Sequence, residues 1–220
     1  MAKAKKWKWE EVKKDAGYWD MPDPVIYYLE NRWKNNKFKT FLDIGCGKGR
    51  HSLFMASSGF KVQAFDIIES NVSTLEKKAT KLHYEISLKT CDMHNMPYPD
   101  NSVDCMLALS SINHTDTKGF KKIMKEVLRV LKPGGEIYLT LGSKDSDQFT
   151  REDSIAVDAN TRARVEEGFS QKMPHFFVDD EDCRSLFNDF IFVDLKYIKR
   201  ITEYGSFNPH YHLLLKKPKV

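Results

Sequence analysis

Nowhere in its 220 residues does this sequence hold an apolar run approaching the roughly 18 residues that a membrane-spanning helix needs. The opening segment, MAKAKKWKWEEVKKD, lacks the apolar stretch that heads a secreted protein. Cysteine is scarce: Cys46, Cys91, Cys105 and Cys183 are not paired at C-x-x-C spacing, and none sits beside histidines in a zinc pattern. These absences set the expectation of a cytoplasmic chain with reduced thiols, no membrane partner and no metal site. Charge of one sign is also missing. Lys and Arg number 35 against 31 Asp and Glu, and a net +4 so small and scattered does not by itself argue for nucleic acid as a partner. No internal repeat and no low-complexity tract interrupts the chain.

What is present is a core. Apolar residues make up 41% of the chain, with 14 Phe, 9 Tyr and 4 Trp, which excludes wholesale disorder. The length suits one compact α/β domain over residues 1–220. Residues 1–15 are lysine-rich and polar, and a turn at 20–24 leads into a helical pattern from Val25, with Pro24 near its first turn. From residue 38 strands and helices alternate. Strands are expected at 41–44, 62–66, 86–90, 103–109 and 136–141, and helices at 50–58, 72–82 and 120–131. Such alternation implies parallel strands joined by crossover helices. A polar stretch at 142–171 breaks the rhythm. Asp180 is then expected to cap a short helix through 187, and strands at 190–196 and 211–215 close the chain.

The most informative segment is Asp43–Ile44–Gly45–Cys46–Gly47–Lys48–Gly49, lying between a strand and a helix. Glycines there let the backbone turn sharply and approach a ligand closely. A phosphate-binding Walker loop requires Ser or Thr after the lysine, and Lys48 is followed by Gly49. The dinucleotide fingerprint G-x-G-x-x-G also fails, since its third glycine position falls on Arg50 or Ser52. Three acids remain, Asp43, Asp66 and Asp92, each at a neighbouring strand end. They suit a ligand with a ribose, an amino-purine and a cationic portion.

The segments FLDIGCGKGR, VQAFDI, CDMHNMPY, NSVDCMLALSSINH and LRVLKPGGEIYLTL, in that order, resemble the successive motifs of the class I S-adenosylmethionine-dependent methyltransferases. The resemblance covers residues 38–141 well and the closing strands more loosely. It implies a Rossmann-like, seven-stranded, mostly parallel sheet with helices on both faces and an antiparallel last strand. It implies S-adenosyl-L-methionine as cofactor and transfer of its methyl group to a small-molecule acceptor. By the same resemblance Asp43, Gly45, Cys46, Gly47 and Gly49 bed the methionine portion, Asp66 with Ile67 the ribose, and Asp92 with Met93 the adenine. Ala108 and Leu109 then line the space near the sulfonium. Within the family the chain looks most like small-molecule enzymes of the tellurite-resistance and thiol type.

Other residues carry expectations of their own. His114, just past the fourth strand, is the first candidate for a catalytic base, with His175, His210 and His212 as further polar candidates. Residues 1–37 are expected to form an N-terminal helical lid, in which Tyr18 and Trp19 cover the cofactor. Residues 142–175 are expected to be an insertion shaping the acceptor pocket. Arg50 is placed to reach the cofactor carboxylate or to face water, and Cys46 is expected to be a small buried filler. A second class stays open, a noncatalytic S-adenosylmethionine-binding partner or sensor. A nucleic-acid methyltransferase is less well supported, since the fourth-strand segment lacks the N/D-P-P-Y/F/W pattern.

Overall fold

A computed structural model describes residues 20–164, 173–199 and 208–219. Tyr18 and Trp19, and with them the tip of the expected lid, lie outside the described residues.

The first half alternates as its periodicity demands: α1 (Val25–Asn35), β1 (Thr40–Ile44), α2 (Arg50–Ser57), β2 (Lys61–Asp66), α3 (Glu69–Lys81), β3 (Ile86–Thr90), β4 (Val103–Ala108) and α4 (Thr117–Val130). The second half runs β5 (Leu131–Ser143), α5 (Asp147–Thr150), β6 (Ile155–Ala156), β7 (Thr161–Arg164), β8 (Met173–Val178), α6 (Asp180–Leu186), β9 (Ile191–Ile198) and β10 (His210–Lys216). The main ladder is β3-β2-β1-β4-β5-β10-β9, and β10 runs antiparallel to both of its neighbours. That is the expected mostly parallel, seven-stranded sheet with an antiparallel last strand, and among the described residues three further strands are added to it. Because β2 and β4 flank β1 on opposite sides, the chain changes winding direction there. A crevice therefore opens over the C-terminal ends of β1 and β4.

The three additions explain where the polar stretch goes. β5 pairs with β10 along one edge as far as Gly142. Along its other edge it pairs with β4 as far as Leu139, where β4 ends. β8 takes that edge over, matching Phe177 to Gly142 and Val178 to Ser143, and β7 and β6 extend from it as an antiparallel meander. The meander thus stands beyond the end of β4. β6 has two residues and β7 four, too short for period-two alternation to register in the sequence.

Two apolar layers sandwich the sheet. Ile26, Leu29 and Trp33 of α1 recur at helical spacing and pack with Met55 of α2 against Phe41, Leu107 and Leu214. On the opposite face Phe120, Ile123 and Val127 of α4 join Phe187 over Met106, Leu139 and Leu213. Two boundaries differ from expectation. The last described helix is capped by Asp179, one residue before Asp180; its carboxylate accepts from the Asp182 amide while the Asp182 side chain answers the Asp179 amide. β5 starts at Leu131, running straight through Lys132–Pro133–Gly134–Gly135, because the amide of Gly134 and the carbonyl of Gly135 both pair with Lys217.

A buried carboxylate fastens α1 to this scaffold. Glu136 of β5 is fully buried, and its oxygens receive Nε and Nη2 of Arg32 at 2.9 and 2.8 Å and Nε1 of Trp33 at 3.1 Å.

Candidate active site

The glycine loop links β1 to α2 with Gly45, Gly47 and Gly49 all at positive φ, +68°, +55° and +83°. At two of them a side chain would also have nowhere to go. A Cβ on Gly45 would stand 2.6 Å from Cβ of Ser111, whose hydroxyl donates to the Ile44 carbonyl at 2.6 Å. A Cβ on Gly49 would stand 2.1 Å from Cδ1 of Leu75. Gly47 is different. Nothing lies within 4 Å of where its Cβ would be, so this part of the loop presents bare backbone to open space. That is a cradle a ligand can enter.

Two carboxyls underlie the cradle. Asp43 is buried, accepts from the Ser52 hydroxyl at 2.6 Å, and is pushed up to about 6 by burial, against the pull of Ser52 and Arg50. It therefore braces β1 against α2 from within. Asp66 ends β2 and accepts from the Gly47 amide at 2.9 Å and the Ile68 amide at 2.8 Å; burial raises its pKa, and those backbone bonds oppose the rise. Ile67 lies beside it, partly buried. Two more of the loop's amides are engaged: Cys46 donates to the Phe65 carbonyl and Gly49 to the Cys46 carbonyl. The Cys46 thiol packs with Ala64 and Leu75 and is pushed up by burial and by the two nearby acids, which makes it an inert filler.

Beyond β3, Asp92 keeps 30% of its side chain exposed and holds His94, while Met93 is buried in the main core. Ala108 is fully buried at the end of β4, Leu109 is partly buried, and Ser110 follows at φ +55° with its amide donating to Thr140 Oγ1 at 2.9 Å. A non-glycine residue held in that conformation at a crevice mouth marks a tightly specified turn. His114 follows a few residues on, with its ring 4.9 Å from that of His175, edge to face. Burial, and then His175, push its pKa down to about 3. The turn is anchored to the meander by the Phe176 amide, which donates to the Asn113 carbonyl at 2.8 Å.

The N-terminal segment reaches the same place. The Asp23 amide donates to Nε2 of His51 at 3.2 Å, and Arg50 Nη1 donates to the Met21 carbonyl at 3.2 Å. The start of α2 is thereby crossed by residues 21–23. His51 is buried and pushed down to about 3 by burial and by Arg50.

These shifts fix a pH dependence. Neutral in the fold down to about pH 3 but titrating near 6.5 when unfolded, His51 and His114 leave the unfolded chain with up to two more protons in that window. Stability therefore falls as pH drops from 6.5 toward 3. Asp43, raised to about 6, and Asp66, also raised by burial, oppose this, while Asp104, Glu126, Asp158 and Asp179, held below the usual carboxylate range by their hydrogen bonds, add to the loss. The net expectation is a loss of about 1.4 kcal/mol per pH unit for each unbalanced proton. Urea midpoints measured from pH 7 to 4.5 should fall, and His51→Gln should flatten the slope; a midpoint that rises on acidification would contradict the assignment.

Sequence reasoning found the loop and the three acids but missed Ser52, His51, Ser111, His94, Thr115 and Thr140. For Ser111 a faint signal existed, a small polar residue just past β4 opposite a glycine. For His94 there was another: Asp92 two residues earlier, the spacing of an Asx turn. Among the described residues no group of three or more His, Cys, Asp or Glu is placed to hold a metal ion, and no helix is long and apolar enough to cross a membrane.

A glycine loop at the switch point of a parallel sheet, with an acid after each of the next two strands, defines a nucleoside-binding α/β domain. Residues 41–135 match the family model described as a methyltransferase domain. The chain is 33% identical over 134 residues to 27-O-demethylrifamycin SV methyltransferase of Amycolatopsis mediterranei (strain S699), which covers 56% of this chain and 48% of that protein. Its structure resembles an S-adenosylmethionine-dependent methyltransferase from Methanosarcina mazei with a TM-score of 0.75 at 20% identity, covering 91% of this chain and 100% of that one. TehB from Haemophilus influenzae matches with a TM-score of 0.66 at 16% identity, over 89% and 62% of the two chains. At those identities the two structures speak for the fold alone. The chain spans between about a third and a half of the curated relatives it matches. In sequence the chain is thus similar to methyltransferase domains over residues 41–135, and its fold is the one seen in S-adenosylmethionine-dependent methyltransferases.

Proposed function

We propose that the chain transfers the methyl group of S-adenosylmethionine to a small-molecule acceptor. The observation that carries this reading is the electrostatic character of the Gly47 cradle. A loop built for phosphate turns its amide donors outward. Here the amides of Cys46, Gly47 and Gly49 are consumed internally, and Asp43 and Asp66 lie directly beneath. Bare backbone over buried carboxyls repels a pyrophosphate and favours a ligand carrying positive charge.

In this reading Gly45, Gly47 and Gly49 bed the methionine portion, Asp66 with Ile67 takes the ribose, Asp92 and Met93 the adenine, and Ala108 and Leu109 face the methyl. Asp43 and Cys46 shape the loop from inside. When bound, S-adenosylmethionine supplies a methyl group already activated on a sulfonium sulfur. The chain then has to align the acceptor and exclude water. In this reading the acceptor's bed is the face on which His210, Gly142 and Phe177 form one cross-strand row, with His212 and Thr140 in the next. His114 and His175 stand above it on the turn and the meander. An imidazole held at so low a pKa is neutral at pH 7 and a weak base. It suits an acceptor that surrenders its proton readily, such as a thiol or a phenol, more than an aliphatic alcohol. Residues 20–37 and the meander would enclose the site as lid and pocket wall of one domain.

The test is release of S-adenosylhomocysteine from S-adenosylmethionine with a panel of thiols, chalcogen oxyanions, phenols and amines. Turnover with a thiol or phenol is expected. Tight S-adenosylhomocysteine binding with no turnover on any acceptor would favour the noncatalytic binding module. Binding of NAD or ATP in its place would overturn both.

A further inference from the structure

The proposed site does not account for a buried polar chain at its adenine end. His94 is buried, two residues past Asp92. Its Nδ1 lies 2.6 Å from Asp92 Oδ1, which also receives the His94 amide at 2.9 Å. Its Nε2 lies 3.1 Å from Oγ1 of Thr115, a buried residue at the foot of α4. A carboxylate oxygen can only accept, so Nδ1 carries the proton; in the neutral ring Nε2 then accepts from the Thr115 hydroxyl. Space for this arrangement is reserved by Gly119. A Cβ there would stand 2.0 Å from Thr115 Oγ1 and 2.7 Å from His94 Nε2.

We infer that His94 is a positioning residue that fixes the Asp92 carboxylate for reading the amino group of the cofactor's adenine, braced in turn by Thr115. The inference rests on the reading of the cleft given above. Two donors from one residue converge on a single oxygen of Asp92. That pins the carboxylate against rotation, while its 30% exposure leaves it within reach of a ligand. A carboxylate so fixed accepts from a 6-amino group and repels a 6-oxo group, whose oxygen has no proton to offer. Discrimination of this kind depends on orientation. A carboxylate free to rotate can turn away from the wrong base, and selectivity declines with it.

The experiment measures binding of S-adenosylhomocysteine and of S-inosylhomocysteine, its 6-oxo counterpart, by calorimetry on the full chain. The natural protein should prefer the amino compound at least about tenfold. His94→Ala should weaken S-adenosylhomocysteine by about tenfold and reduce the preference to within about twofold. His94→Asn, whose amide nitrogen can stand where Nδ1 stood, should restore the preference. His94→Gln, which extends past Asp92 toward Thr115, should not. Should His94→Ala fail to fold, the contrast between Asn and Gln decides.

A His94→Ala protein that binds both ligands more weakly but keeps the natural ratio would overturn the inference, leaving His94 a packing residue. So would natural protein that binds both ligands equally well, although the cleft would still be one for S-adenosylhomocysteine. If the natural protein binds neither, the reading of the cleft itself fails.

Discussion

Arg32→Ala is expected to cost the fold about 3–5 kcal/mol, one of the two largest effects foreseen for a single substitution. The reason lies on the other side of the pair. Glu136 is fully buried, and Arg32 supplies two of the hydrogen bonds that make its charge tolerable there. Without the guanidinium a carboxylate is stranded in the apolar layer under α1 with Trp33 as its main remaining donor. Adding Glu136→Gln to the Arg32→Ala protein should recover part of the loss, since a neutral amide costs far less to bury. Urea unfolding of the two single variants and the double variant measures both effects. A double variant less stable than Arg32→Ala would show that the charge is not what the arginine answers.

Asp66→Ala should weaken binding of S-adenosylhomocysteine by about 1–3 kcal/mol, roughly ten- to a hundredfold. Two losses combine. The carboxylate that would accept from the ribose hydroxyls goes, and so do the bonds holding the Gly47 amide and the Ile68 amide at the start of α3. The cradle is then no longer preorganised, and part of the binding energy must be spent on ordering it. Calorimetry with S-adenosylhomocysteine reads the result. Unchanged affinity would remove Asp66 from the site.

Much of this architecture can be read directly from residue order. The stretch Phe41–Leu42–Asp43–Ile44 is apolar but for Asp43 because a parallel strand is covered on both faces, and Gly45 ends it sharply. The loop and Asp43 are local in sequence, so their chemistry announces itself within a few residues, and Asp66 and Asp92 are found because each follows a strand that can itself be read. What stayed hidden is long-range. Ser111 meets Gly45 across 66 positions, and His51 meets Asp23 across 28. No periodicity encodes such meetings; only the sheet order brings them about. The meander was hidden for another reason. β8 pairs where β4 runs out, a matter of relative strand length that neither strand's own pattern reveals.

That handover also bears on how such a chain can change over generations. The meander attaches to the main ladder through two register pairs, at Gly142 and Ser143, past the last residue that β4 contributes. Lengthening, shortening or rewriting it leaves every pairing among β1 to β5 in step. Descendants of one ancestor could therefore diverge in what they hold above β4 while inheriting the same glycine loop untouched.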